Sequence, residues 1–106
     1  PVSVFDQEGV VIGFFALETI GSENRLDHLW IEPERIRQGF GRQLFQEAVI
    51  AAKSLGWASF RLAADPPAEE FYLKMGARRI GDVQSRIKPD LLLPHMEYVI
   101  SPENFH

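Results

Sequence analysis

The spacing of hydrophobic and polar positions predicts three strands in the first third of the chain. Val10–Glu18 is almost continuously apolar and rich in β-branched and aromatic residues, which is typical of a buried strand. Val2–Phe5 is a shorter apolar segment, and the polar residues 6–9 predict a hairpin turn between the two. We expect the next strand at Arg25–Glu32, ending before Pro33, because proline has no N–H for a sheet ladder.

The period of the apolar positions becomes that of a helix between Gly39 and Leu55. Gly56 directly follows, and glycine is the usual residue just past the end of a helix. The residues that recur at helical spacing are Phe40, Leu44, Phe45, Ala48, Val49, Ala51, Ala52 and Leu55.

The second half of the chain predicts a strand at Trp57–Ala64 and then a short helix. Phe60 and Leu62 alternate with polar residues, and prolines at 66 and 67 end the strand and suit the first turn of a helix. The helix presents one apolar face and stops at Gly76. That face is made by Ala68, Phe71, Tyr72 and Met75.

Two further strands are predicted, at Arg78–Gly81 and Met96–Ile100, whereas the pattern over Leu91–Pro94 does not distinguish strand from loop. The resulting order is β-β-β-α-β-α-β-β. It predicts an α/β (α+β) domain with a mixed sheet and helices packed against it, and 106 residues suit a single domain.

Composition narrows the classes of partner. The formal net charge of −4 argues against a nucleic-acid binder, which usually needs a basic surface to neutralise phosphates. No apolar segment approaches the roughly 20 residues that span a bilayer, and no export signal is visible, so we expect a cytoplasmic protein without a membrane partner. The absence of cysteine and the lack of paired histidines at ligand spacing predict no metal site.

The segment PERIRQGFGRQL, residues 33–44, is the most informative part of the sequence. Arg35, Arg37 and Arg42 cluster around Gly39-Phe40-Gly41, which opens the long helix. Unpaired N–H groups and the helix dipole make such a start attractive to anions, and glycine allows a ligand close to the backbone. These residues alone leave two interpretations open, a pyrophosphate site or an ordinary strand-to-helix turn.

A hydrophobic strand, a proline, a basic loop and Gly-x-Gly on an amphipathic helix together resemble motif A of the GNAT N-acetyltransferases. The resemblance implies the GNAT acyl-CoA N-acyltransferase fold, with a mostly antiparallel sheet, and coenzyme A pyrophosphate held by the loop. The residues carried over for this role are Arg37, Gln38, Gly39, Phe40, Gly41 and Arg42. One departure is Ile36, where the family usually has Arg or Gln.

Residues 65–77 resemble motif B of the same family. The resemblance places Tyr72 where the family has the phenol that serves the leaving sulfur. Asp65 takes the place of the usual asparagine beside the pantetheine arm, and Ala77 that of a frequent phenylalanine. Judged without the resemblance, an aromatic residue on the apolar face of a helix is more often part of the core.

The strand before the glycine loop would hold the thioester. By position in the family, the backbone N–H of Leu29 is the donor to the thioester carbonyl, and the backbone of Trp30 and Ile31 pairs with the pantetheine arm. For the general base we favour His28, because imidazole titrates in the right range. Asp27 and Glu32 remain alternatives that would act through water.

The predicted function is N-acetyltransfer from acetyl-CoA to an amine of a small molecule or a protein. A non-catalytic acyl-CoA-binding or regulatory module and a structural dimerisation domain are the alternatives. Family members usually begin with a further strand and two helices that wall the acceptor site, and these do not fit before Val2. We expect them in a longer chain or a second subunit, unless this is a minimal member. An uncovered sheet edge would favour a homodimer.

Overall fold

The computed structural model describes residues 2–7, 10–31, 39–85 and 87–100, with side chains from residue 12 onward except that of His28. Within these residues a sheet of six strands has the order β1-β2-β3-β4-β6-β5. The elements are β1 Val2–Gln7, β2 Val10–Ile20, β3 Glu23–Ile31, α1 Phe40–Ser54, β4 Ser59–Ala63, a 3₁₀ turn Pro66–Ala68, α2 Glu69–Met75, β5 Arg78–Gln84 and β6 Leu92–Val99.

The direction of strand pairing changes between β3 and β4. All other neighbouring strands are antiparallel, whereas these two are parallel and pair only through Arg25 and Arg61. A parallel connection needs a long crossover, which α1 supplies. Beyond that single pair both strands continue without a ladder between them, so the sheet opens at its centre.

Both helices pack against the same face of the sheet. Phe45 of α1 joins them to it, because its ring lies 6.1 Å from Phe60 of β4, 6.0 Å from Tyr72 of α2 and 5.2 Å from Tyr98 of β6. Phe60 and Tyr98, paired across β4 and β6, stack at 5.5 Å. Most of the apolar stripe predicted for residues 39–55 therefore lies in the main core, whereas Leu55 at its end is exposed.

Gly13 of β2 allows α1 to approach this closely. A Cβ at this position would lie 2.5 Å from the carbonyl oxygen of Trp30 and 3.1 Å from Cδ2 of Leu44. Contacts that short do not occur without displacement, so the absence of a side chain is a packing requirement here.

The mixed, mostly antiparallel sheet with flanking helices confirms the predicted fold class. The last two strands are longer than predicted, however. Pro94, in the segment that the pattern left undecided, lies inside β6 at the point where the ladder to β4 ends. Its carbonyl accepts a hydrogen bond from the N–H of Ala64 at 3.0 Å, and only the reciprocal bond is lost. Most of the undecided segment is therefore part of β6.

Candidate active site

The start of α1 is built by two glycines that act for different reasons. Gly39 is the residue before the first turn and has φ 81°, a left-handed conformation that favours glycine, although a Cβ would meet no atom within 4 Å. Gly41 is limited by space, because its Cβ would lie 3.3 Å from the ring of Phe71. The first turn carries no acidic side chain, and Arg42 in it is exposed.

The described part of the predicted coenzyme site converges on this helix start. A Cβ at Gly41 would lie 4.0 Å from Ile31, the last residue of β3, so the end of β3 and the first turn of α1 adjoin. Phe40 also belongs to that turn. Arg37 and Gln38, with Ile36 and Glu32, lie outside the described residues.

Leu29 and Trp30 precede Ile31 on β3 and face opposite sides of the sheet. Leu29 packs against the helix-side core. Trp30 is exposed and stacks on Phe14 at 5.7 Å. The backbone roles predicted for these residues do not depend on either side chain, and they stay predictions.

A β-bulge lies in β3 just before these residues, which sequence reasoning missed. Ala16 pairs with His28 and Leu17 with Leu26, so β3 has one more residue than β2 between these two pairs, Asp27. Bulges redirect side chains and are frequent beside active sites. His28 is placed in the strand, but its side chain lies outside the described residues, so its role as general base stays a prediction.

Tyr72 lies on α2 within the helix-side core and is buried, with 8% of its surface exposed. Its ring makes edge contacts with Phe71 at 5.2 Å and with Phe45 at 6.0 Å. Burial, reinforced by the negative charge of Asp65, raises the pKa of the Tyr72 phenol to about 12. The phenol is therefore protonated at neutral pH and can donate a hydrogen bond or a proton.

A groove of about 320 Å³ lies between α1, the end of α2 and Tyr98 of β6. It carries two cations, Arg42 of α1 and Lys74 of α2. The other lining residues are Phe45, Gln46, Val49, Ile50, Met75 and Tyr98. Apolar walls with convergent cations suit an aromatic, anionic ligand portion.

A larger cleft, of about 590 Å³, lies where β3 and β4 stop pairing. The hairpin between β5 and β6 forms its far wall, with Ser85, Lys88 and Leu91. Its remaining lining is Glu23, Arg25, Leu26, Asp27, Arg61, Leu62, Ala63, Asp65, Val83, Gln84, Ile87, Leu93 and His95. Asp65, one of the predicted coenzyme residues, thus borders this cleft, and its charge also reaches Tyr72.

Comparison with known proteins identifies this arrangement. A family model described as an acetyltransferase (GNAT) domain matches residues 2–76. The chain belongs to the GNAT acetyltransferase family. The matched residues include β3 and β4, all of α1 and Tyr72.

Solved structures share the GNAT fold over almost the whole chain. An aminoglycoside 6′-N-acetyltransferase complexed with coenzyme A has TM-score 0.82 and 18% identity, covering 95% of this chain and 73% of that one. An acetyltransferase from Bacillus cereus has TM-score 0.77 and 25% identity, covering 93% and 71%. The ribosomal-protein-S18-alanine N-acetyltransferase from Escherichia coli has TM-score 0.72 and 20% identity, covering 95% and 70%. A search of curated protein sequences found no significant match.

Charged side chains of this GNAT domain form a ladder on the sheet face opposite the helices. Glu23 binds Arg25 and lies 3.4 Å from Arg61, which lies 3.6 Å from Glu97. Glu97 also accepts a hydrogen bond of 2.9 Å from Arg78. The hydrogen bond from Arg25 lowers the pKa of Glu23, and that from Arg78 lowers the pKa of Glu97, each against the opposing effect of burial. Glu23 thus contacts both Arg25 and Arg61, the two residues through which β3 and β4 pair.

The described residues of the GNAT domain contain no group of three or more His, Cys, Asp or Glu residues placed to hold a metal ion. No helix in the same ranges has the length and apolar character needed to cross a membrane.

Proposed function

We propose that this chain transfers the acetyl group of acetyl-coenzyme A to an amine of a small molecule or a protein. The observation that carries the proposal is the opening between β3 and β4, which pair only at Arg25 and Arg61. An extended pantetheine arm fits such an opening because unpaired strand backbone can hydrogen-bond to it as a further strand would. The adjoining start of α1 offers N–H groups to a pyrophosphate.

The groove beside α1 would take the adenosine portion of the coenzyme. Arg42 lies in the first turn of α1 and Lys74 near the end of α2, so both cations border one groove. Phosphate groups of the coenzyme would be neutralised there in a chain that is otherwise net acidic.

Transfer to an amine makes three chemical demands. The acceptor must be deprotonated, since an alkylammonium of the lysine type has a pKa of about 10.4. The thioester carbonyl needs a donor where negative charge develops, the role we propose for the N–H of Leu29. The departing thiolate needs a proton, which the neutral phenol of Tyr72 would supply.

Binding and turnover are tested separately on purified protein. We expect saturating acetyl-CoA to raise the melting temperature, since ligand at 100 times its Kd adds about 2.7 kcal/mol of stability. Arg42→Ala should weaken binding measured by calorimetry, whereas Gln43→Ala, an exposed neighbour outside the groove, should not.

Turnover is followed by release of free coenzyme A thiol with a panel of amines. Tyr72→Phe should lower kcat by about 100-fold, within the range of general acid catalysis, and leave the Kd for acetyl-CoA unchanged. Leu73→Ala, an exposed position on the same helix, is the matched control and should keep the wild-type kcat.

Three outcomes separate the alternatives. Acetyl-CoA binding without acetylation of any amine would favour a non-catalytic acyl-CoA-binding or regulatory module. No binding, together with a dimer in sedimentation equilibrium, would favour a structural dimerisation domain. Binding and turnover by a dimer would support both the transferase and the proposed homodimer.

A further inference from the structure

His95 lies in the wall of the larger cleft, on the sheet face opposite the helices. It belongs to β6 and alternates with Met96, which is fully buried in the helix-side core. Successive side chains of a strand point to opposite faces, so the imidazole is directed away from the helices and toward the cleft. The sequence offered no context for this histidine, because its neighbours come from distant strands.

The strands on both sides leave the imidazole of His95 uncovered. Its partner on β4 is Ala63 and its partner on β5 is Gly81, the two smallest residue types. Directly opposite residues project on the same face and would otherwise cover one another. A bulge in β5, where Arg79 pairs with Met96 and Gly81 with His95, brings the glycine to this position.

The residues paired with His95 also lie where the opening between β3 and β4 begins. Arg25 and Arg61 are the last paired residues, and two positions further along the two strands are Asp27 and Ala63. Ala63 is the direct partner of His95. His95 is therefore one strand away from the point at which a thioester in the opening would become accessible from the cleft.

We propose that the larger cleft binds the acceptor amine and that His95 accepts the proton that its ammonium must lose. This rests on the proposed acetyl transfer. The ammonium passes a proton to the neutral imidazole, and the amine nitrogen forms a bond to the thioester carbon. The C–S bond then breaks, the sulfur takes a proton from Tyr72, and the nitrogen's second proton restores the phenol. The imidazolium returns its proton to solvent, so the products are amide, coenzyme A thiol and one proton.

Charged groups around the cleft would modulate this proton transfer. From β3 these are Glu23, Arg25 and Asp27, and from β4 and the turn after it Arg61 and Asp65. The hairpin adds Lys88. Glu23 is close enough for the charge of His95 to act on it, after the larger effects of Arg25 and Arg61. Three of these groups are carboxylates and three are cations, so the net charge of the cleft does not itself select between cationic and anionic amines.

Two isomeric amines test the assignment. Benzylamine is an ammonium ion at neutral pH and needs a base, whereas p-toluidine is already uncharged. His95→Gln should lower kcat/KM for benzylamine by about 100-fold, within the range of general base catalysis, and leave p-toluidine little affected.

Controls separate this role from a structural one. Glu97→Gln changes the same strand and the same face outside the cleft, and should acetylate both amines as wild type does. His28→Gln makes the same substitution at the histidine favoured from the sequence. If His95→Gln proves unstable, His95→Asn is measured instead, and acetyl-CoA binding by each variant verifies the coenzyme site.

Each outcome bears on a separate claim. A benzylamine-specific loss in His95→Gln supports the assignment. An equal loss for both amines, no loss, or a benzylamine-specific loss in His28→Gln instead would overturn it while leaving the transferase intact. If wild type binds acetyl-CoA and acetylates no amine in the panel, the proposed function and the assignment fail together.

Discussion

The two faces of this sheet are built from different chemistry. The helix-covered face is a continuous apolar cluster in which Phe45 contacts residues from β4, α2 and β6. The opposite face carries ion pairs centred on Arg61 and a cleft bordered by titratable side chains. Both faces meet at the opening between β3 and β4.

The difference separates stability from reactivity. Burial of large apolar side chains contributes several kcal/mol each, whereas ion pairs that remain partly exposed contribute about 0–1 kcal/mol. The helix face therefore holds the strands and the Tyr72 phenol in place. The open face contributes less to folding, and its groups can accept protons or bind substrate without being fixed in a core.

The largest expected effect comes from the helix face. Phe45 is 2% exposed, and Phe45→Ala should lower the free energy of unfolding by about 3–5 kcal/mol, measured by urea denaturation. Ile50→Ala on the same helix should change it by less than about 0.5 kcal/mol, because Ile50 is 53% exposed. Equal effects at the two positions would contradict the packing described here.

An intermediate effect is expected from the titration of Tyr72. Its folded-state pKa of about 12 lies above the ordinary value of 10.0, so the unfolded chain loses the proton first as pH rises. The stabilisation is complete below pH 10 and is lost between pH 10 and about 12. The loss should be roughly 2–3 kcal/mol, at about 1.4 kcal/mol per pKa unit.

Urea denaturation of wild type and Tyr72→Phe across this alkaline range isolates the phenol. The other alkaline titrations occur in both proteins, so only the difference between the two curves belongs to Tyr72. Parallel curves would show that the phenol is not buried as described.

The smallest expected effect lies on the open face. The pKa of Glu97 is held below its ordinary value of 4.5, first by its hydrogen bond from Arg78. Its stabilisation is therefore present above that pH and is lost as the pH falls through the folded-state pKa. Glu97→Gln should cost below about 1 kcal/mol at neutral pH and flatten the acid dependence of stability.

Glu70→Gln provides the comparison, because Glu70 lies in an exposed pair with Lys74, 3.6 Å away, on α2. We expect Glu70→Gln to change the free energy of unfolding at neutral pH by less than Glu97→Gln does. A cost for Glu97→Gln as large as that of Phe45→Ala would erase the contrast between the faces.

Most elements were predictable because their signals are local. The long helix followed from the spacing of its apolar residues, and the turn before it from Gly39, whose φ of 81° explains the glycine. The second half of the sheet was less predictable. Pro94 is tolerated inside β6 only because β4 ends beside it, a fact about a neighbouring strand that no local pattern contains.

The candidate site divides in the same way. Gly39–Arg42 could be identified from their own segment and Tyr72 from its resemblance to motif B. The structure brings Gly41 next to Ile31 at the end of β3 and buries Tyr72. The bulge at Asp27 could not be identified, since it is defined by register against β2. His95 could not be assigned either, because its position depends on the pairing of β6 with two other strands.

The sequence by itself determined the helices, most strands and the glycine-opened start of α1, because hydrophobic period and glycine conformation act over a few residues. Only the tertiary structure decided which titratable groups share a cleft. Strand order and register bring Asp27 and His95 to one cleft across the β3–β4 opening. Strand order and register depend on contacts between residues far apart in the chain, so local sequence patterns do not predict them.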